Sequence, residues 1–260
     1  MNLISLSNFK KFLLINLDQI DSTQIIAKDI IHEKYNEEIN LESILNENKF
    51  IAIKAKKQND GRGQYGRSWH SPEGNLYLSC IVKLKKCNVI NLTQIFTILI
   101  HDILQNYNVE ISVKWINDIL YNNKKMGGVI CDLHKYKEHQ LAVIGIGINV
   151  NIAHAENSIC LKDILKHEID IEKLTEDICD EILTYLDNFL NHGINFFLKK
   201  LNKYSAYLNQ EITLHIENQE IEGIFKGYDK NGMIIIESNN ERRTFHKGRL
   251  RLKDNLSYKL

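Results

Sequence analysis

The sequence is poor in several residue types, and each shortage excludes something. Its 260 residues include one proline, Pro72, and show no internal repeat and no low-complexity tract. Five cysteines, Cys80, Cys87, Cys131, Cys160 and Cys179, are scattered, odd in number and without a C-x-x-C pair. A disulfide framework or zinc site is therefore not expected, and a reducing cytoplasmic compartment fits. The ten histidines contain no H-x-x-x-H pair. Basic and acidic side chains number 33 each, so the net charge is zero. That removes the electrostatic case for nucleic acid or an acidic membrane surface. The longest early apolar run, FLLINL, is short, and Asp18 and Asp21 follow it with no small-residue cleavage site. It reads as neither a signal peptide nor a membrane span. The chain is long enough for one sizeable core and a small satellite domain.

Glycine is concentrated where proline is found. Gly61, Gly63, Gly66 and Gly74 fall within Lys54 to Asn75, KAKKQNDGRGQYGRSWHSPEGN, together with Pro72 and Trp69. FIAI (50–53) before it and NLYLSCIVKL (75–84) after it read as strands. Loops of this length without their own secondary structure are functional lids or disordered. Glycine lets backbone N–H groups approach a ligand, and the arginine fork suits phosphate or carboxylate. Arg62 and Arg67 among the glycines thus describe an anion-binding loop that can close, against the plainer reading of a flexible surface turn. The literal G-x-G-x-x-G of Gly61, Gly63 and Gly66 is no dinucleotide fingerprint, because Trp-His-Ser-Pro follows where a helix should start.

In chain order, FLLINLDQI (12–20) reads as a strand. Asp21, Ser22 and Thr23 then offer N-caps for a helix reaching about Tyr35. The hydroxyls of Ser22 and Thr23 serve either that cap or a buried polar ligand. NEEINLESILNENK (36–49) reads as a connector with a short helical turn. The strand after the loop is apolar on both faces and hence central. Leu92, Ile95, Phe96, Leu99 and Ile103 give a helix over 89–108 its stripe, with His101 in a structural role. ISVKWIND (111–118) reads as one strand ending in Lys114, Trp115, Asn117 and Asp118. The turn YNNKK then makes a hairpin with GGVICDLHKY (127–136). Lys125 is either a solvated turn lysine or a ligand cation, and the paired glycines after it favour the second. LAVIGIGINVNI (141–152) is a buried strand with Gly145 and Gly147 on one face. They mark close approach of a ligand or plain packing against a helix. IEKLTEDICDEILTYLDNFLN (171–191) is an amphipathic helix, and a second follows over about 194–204. EITLHIE, IEGIFKGYD, GMIIIES and RRTFHKGRLRL then read as short strands of a small β barrel.

Four segments in order resemble the biotin–protein ligase family: IDSTQ (20–24), QNDGRGQYGRSWHSPEGNLYLS (58–79), KWIND (114–118) with KKMGGVICD (124–132), and VIGIGINVN (143–151). The resemblance covers roughly 15–255. Three positions depart from the family pattern: Ile116 for proline, Gln24 for asparagine, and Gln64 for the second arginine of G-R-G-R. The resemblance implies an α+β fold, with a mixed sheet carrying helices on one side over residues 1–208 and an SH3-like barrel over 209–260. It also implies a two-step reaction, in which biotin and ATP give biotinoyl-adenylate and a lysine of a biotin carboxyl carrier protein then takes the acyl group. Arg62 and Lys125 would be the catalytic cations. Ser22, Thr23, Gln24, Gln58, Gly63, Gln64, Trp69, Lys114, Asn117, Gly128, Gly145 and Gly147 would join them around biotin and the adenylate. Asn117 and Asp118 would contribute to a Mg²⁺ site. Two rival readings stay open: a lipoate or other acyl-chain ligase, and a biotin-responsive DNA-binding repressor. The first motif at Asp21 leaves no room for a leading helix-turn-helix, so specific DNA binding is not expected. No membrane partner is expected, and a homodimer is compatible with the sequence.

Overall fold

The computed structural model describes residues 3–35, 39–84 and 90–253. The first part of the 36–49 connector, Val89 at the head of the 89–108 helix, and Cys87 lie outside the described residues. The first sheet and its helices run β1 (Leu3–Asn8), β2 (Phe12–Ile20), α1 (Thr23–Ile31), α2 (Leu41–Asn46), β3 (Phe50–Gln58), β4 (Leu76–Leu84), α3 (Leu92–Asn106), β5 (Ser112–Lys114), β6 (Asp118–Tyr121), β7 (Lys124–Tyr136) and β8 (His139–Ile148). Then come α4 (Leu161–Leu165), α5 (Ile171–His192), α6 (Leu198–Tyr204) and the strands β9 (Glu211–Ile216), β10 (Gln219–Tyr228), β11 (Ile234–Ser238), β12 (Glu241–Phe245) and β13 (Arg249–Leu252).

The first sheet has the order β1-β2-β3-β4-β8-β7-β6-β5. All its pairs are antiparallel except β2 with β3, which α1 and α2 connect. β4 is central, as its two apolar faces require. The second sheet, β12-β11-β10-β9-β13, is antiparallel throughout. The fold is thus mixed α+β with a small C-terminal β unit, and residue 208 falls in the stretch between α6 and β9. No helix among the described residues is long and apolar enough to cross a membrane.

The expectation of helices on one side is corrected. Even-numbered β4 and β8 residues, among them Leu78, Cys80, Val82, Ile144 and Ile146, pack in the core that α3 and α5 cover. Ile15, Ile51, Ile53, Ile81 and Val143 point the other way and form a second core with Ile26, Ala27 and Ile30 of α1 and with α2. Each strand alternates its side chains between the two cores, so both faces needed cover. Ser22 caps α1, its hydroxyl accepting from Gln24 N at 3.3 Å. Asp170 caps α5 by accepting from the N–H groups of Glu172 and Lys173.

Two long strand readings break into pairs. Residues 111–118 split into β5 and β6 around a turn at Trp115–Asn117, because Lys114 pairs back onto Asp118. RRTFHKGRLRL splits into β12 and β13 on opposite edges of their sheet, around Gly248 at φ +132°. The β6–β7 hairpin turns at Asn122 and Asn123, both at positive φ, as a two-residue turn of that hand demands. His101 is fully buried and stacks on Tyr204 at 3.6 Å between ring centres, a structural position.

Candidate active site

The site lies on the α1 face of the sheet at the N-terminal end of α1, whose Thr23 and Gln24 line it. Its floor is a row of paired residues crossing five strands. Tyr77 pairs with Gly147, Gly147 with Gly128, Gly128 with Asp118, and Asp118 with Lys114. A second row sets Ser79 and Ile130 on either side of Gly145. The glycines are required by space. A Cβ on Gly147 would meet Trp69 Nε1 at 2.9 Å, and one on Gly145 would meet Ile130 at 2.8 Å and Gln24 Oε1 at 3.0 Å. The sheet is thus stripped of side chains where the cavity stands.

The glycine-rich loop is the roof. It is pinned at both ends by strand-like bridges, Gln58 to Ser71 and Arg62 to Ser68, with Trp69 N donating to Gly61 O at 2.7 Å. Gly61 has no room for a side chain against Ser71 and the Trp69 carbonyl. The tip is a 3₁₀ turn, Gln64–Gly66, with Tyr65 at φ +57° and Gly66 at φ +70°. Tyr65 is 69% exposed. The Arg62 guanidinium reaches Asp60 at 3.8 Å and remains half exposed. Arg67 Nε donates to Gln64 O at 3.1 Å.

The walls differ in chemistry. On the α1 side Gln58 Oε1 accepts from Thr23 N at 2.8 Å, and Gln58 Nε2 donates to Ser71 Oγ at 2.9 Å. Ser79 Oγ lies 2.8 Å from Thr23 Oγ1 and 2.7 Å from Gln24 Oε1. This wall is buried, neutral and polar. The opposite wall is charged. Asp118 holds Lys125 at 2.7 Å and Lys114 at 3.0 Å, one on each oxygen. Burial would raise the Asp118 carboxyl, but the ammoniums of Lys125 and Lys114 outweigh it and hold it below the ordinary carboxylate range. Lys125 also stands 5.1 Å over the Trp69 ring, a cation–π contact. The Trp69 indole N–H is buried and has no partner among the described residues. A buried orphan donor between floor and roof is placed to meet a ligand acceptor.

One cavity of about 110 Å³ is lined by Ser22, Thr23, Gln24 and Gln58 from the polar wall and by Arg62, Gly63, Gln64 and Trp69 from the roof. Asn117, Asp118, Lys125, Gly128, Gly145 and Gly147 line it as well, and the roof also walls an adjoining groove of about 610 Å³. Lys114 alone of the expected residues stands behind the lining, reaching it through Asp118. Sequence reasoning missed Ser79, Tyr77 and Ile130, whose signal was strand alternation: they share the face of the odd-numbered glycines of β8. Of the two expected cation ligands, Asp118 has other work and Asn117 is turned by its amide nitrogen. Both Asp118 oxygens face lysines, and Asn117 Nδ2 donates to Val129 O at 2.9 Å. No group of three or more His, Cys, Asp or Glu ligands occurs among the described residues. The residues present do not fit a resident divalent cation.

The profile of the biotin/lipoate A/B protein ligase family matches residues 19–149, just over half of the chain, and that of the biotin protein ligase C-terminal domain matches 207–250. The chain belongs to the biotin/lipoate ligase family. Among curated family members, the bifunctional ligase/repressor BirA of Escherichia coli strain K12 is 30% identical over 193 residues, covering 70% of this chain and 60% of that one. The chain spans about three fifths of such relatives. Biotin--[acetyl-CoA-carboxylase] ligase of Paracoccus denitrificans is 22% identical over 71% of this chain and 82% of its own length. A solved biotin protein ligase from Aquifex aeolicus, in complex with biotin and ATP, superposes with a TM-score of 0.78 at 26% identity. That match covers 94% of this chain and 99% of that one. In this family member the floor glycines, the roof and both walls all fall within the matched segment.

Proposed function

We propose that the chain ligates biotin to a lysine of a biotin carboxyl carrier protein, such as that of acetyl-CoA carboxylase, at the expense of ATP. The observation that carries this is the pairing of a neutral, buried hydrogen-bonding wall with a cationic wall across one cavity. A cyclic urea fits Ser22, Thr23 and Gln58, and the valerate chain would run over the glycine floor toward Lys125 and Arg62. There the carboxylate oxygen attacks the α-phosphorus of ATP, the bond to the β-phosphate oxygen breaks, and pyrophosphate leaves. Two anions meet in that step, so fixed positive charge and backbone N–H donors lower its barrier. The carrier lysine amine then attacks the acyl carbon, loses its proton, and AMP departs. The roof keeps water from the mixed anhydride. Mg²⁺ would enter on the triphosphate as part of the substrate, since it keeps most of its waters and phosphate ligands.

Lipoate is the second reading, because the family takes both acyl groups. The polar wall favours biotin: a dithiolane would leave the Ser22, Thr23 and Gln58 groups desolvated and unpaired, which is costly. A cytoplasmic site of action and the absence of sequence-specific DNA binding complete the proposal. The test is incubation with ATP, Mg²⁺, a carrier domain, and labelled biotin or lipoate. Label on a carrier lysine from biotin, with biotin-dependent pyrophosphate release, is expected; release with lipoate alone would reverse the assignment.

A further inference from the structure

The polar wall is a chain of hydrogen bonds with a direction. Its outer end is Asp132 on β7, exposed at the rim, whose carboxylate only accepts. The Gln24 amide has Asp132 Oδ2 at 3.1 Å and the Val143 carbonyl at 3.5 Å on its nitrogen side, and Ser79 Oγ at 2.7 Å on its oxygen side. Two partners that can only accept fix the NH₂ group between them, so Gln24 Oε1 must face Ser79. Ser79 is fully buried and has one proton, which that oxygen takes. Toward Thr23 Oγ1, 2.8 Å away, Ser79 then has only lone pairs, and the proton between them comes from Thr23. Gln58 Oε1 is farther from that hydroxyl, at 3.2 Å, and already receives the Thr23 backbone N–H at 2.8 Å. Thr23 therefore spends its proton inside the wall and turns an acceptor to the cavity. Gln58 keeps one Nε2 proton beyond that given to Ser71.

We propose that Asp132, Gln24 and Ser79 are positioning residues that set the polarity of the Thr23 hydroxyl, so that the pocket demands a ligand N–H beside a ligand C=O. The inference rests on the biotin reading above. It gives Gln24 work without ligand contact, because its amide is consumed by Asp132 and Ser79. Gly145 belongs to the same device, since a side chain there would push Gln24 Oε1 out of line.

The test is equilibrium binding by the full chain, without ATP, of biotin and of the two cyclic carbamates in which oxygen replaces one ring N–H. In wild type the carbamate that sets an oxygen against Thr23 should bind at least roughly thirtyfold more weakly than biotin, as expected when two acceptors face each other in a closed site. In Ser79→Ala the Thr23 proton loses its nearest acceptor and divides between the more distant Gln58 Oε1, at 3.2 Å, and the cavity, so that ratio should fall to about tenfold or less. Asp132→Ala, which leaves only the Val143 carbonyl to hold the amide, should fall between. A merely structural role would weaken both ligands together and leave the ratio unchanged. Equal ratios in wild type, Ser79→Ala and Asp132→Ala therefore overturn the proposal, and Asp132→Ala alone decides it if Ser79→Ala does not fold. Wild type that binds no biotin overturns the reading of the site itself.

Discussion

Lys125 carries the sharpest expectation at the scale of one residue. It is bonded to Asp118 and stacked over Trp69, so removing it leaves the floor intact and deletes one cation from the cationic wall. A charge-assisted contact to a buried anion is worth roughly 2–3 kcal/mol, so Lys125→Ala should slow pyrophosphate release on the order of 30–150-fold. Its circular dichroism should be unchanged. Asp118 predicts a pH effect. Its folded carboxyl is depressed, so its contribution to stability is complete above the unfolded value and fades as pH falls through the folded one. The melting-temperature gap between wild type and Asp118→Asn should be constant above about pH 5 and shrink below about pH 4; a gap that widens in acid would reverse the sign. The charged half of the site was legible in the sequence because Lys, Asp and Arg announce themselves beside glycine. Ser79 and Asp132 were not. Their importance comes from which strand faces which, and spacing along one chain does not contain that.

At the scale of elements, the loop from Gln58 to Ser71 is held at its base and loose at its tip. Residues 62 and 65–68 are exposed, and Tyr65 stands in a left-handed conformation. Trypsin should cut at Arg62 or Arg67 in the free protein and be blocked by biotin with ATP; equal cutting in both states would remove the loop from any lid role. Strands β2 and β4 and helices α3 and α5 could be read from periodicity because each is long and strongly apolar on a face. β1 escaped notice: LISLSN is a six-residue edge strand with Ile4 half exposed, and it is fixed by its pairing with β2, which its own pattern does not reveal. The position of α1 could have been inferred. A β4 apolar on both faces already required helices on both faces.

One of the places where the two halves of the molecule are clasped is a turn of the second sheet. Asn91 Nδ2 donates to Asn231 O at 2.9 Å, and Gln94 Nε2 donates to Gly232 O at 3.0 Å, tying the start of α3 to the β10–β11 turn. Gly232 sits at φ +74°, and a Cβ there would lie 2.9 Å from both Asn91 Oδ1 and Ile194 Cγ1. Gly232→Ala should therefore cost roughly 1–2 kcal/mol through the backbone alone and lower the melting temperature by about 2–8 °C, while Lys230→Ala on the same turn should change it little. No change in Gly232→Ala would mean that the turn shifts without loosening the clasp.

The glycine floor has a consequence of its own for how this protein can change. At Gly128 and Gly147 the sheet is one backbone thick, and Val129, Ile146 and Ile148 lie directly behind it, in the larger core. The floor is a party wall between the substrate chamber and the interior, and any carbon added to it must intrude on one room or the other. Laboratory selection for bulkier acyl substrates should accordingly leave β7 and β8 untouched and accumulate its changes in the roof, between Arg62 and Ser68, where new volume can be accommodated by solvent.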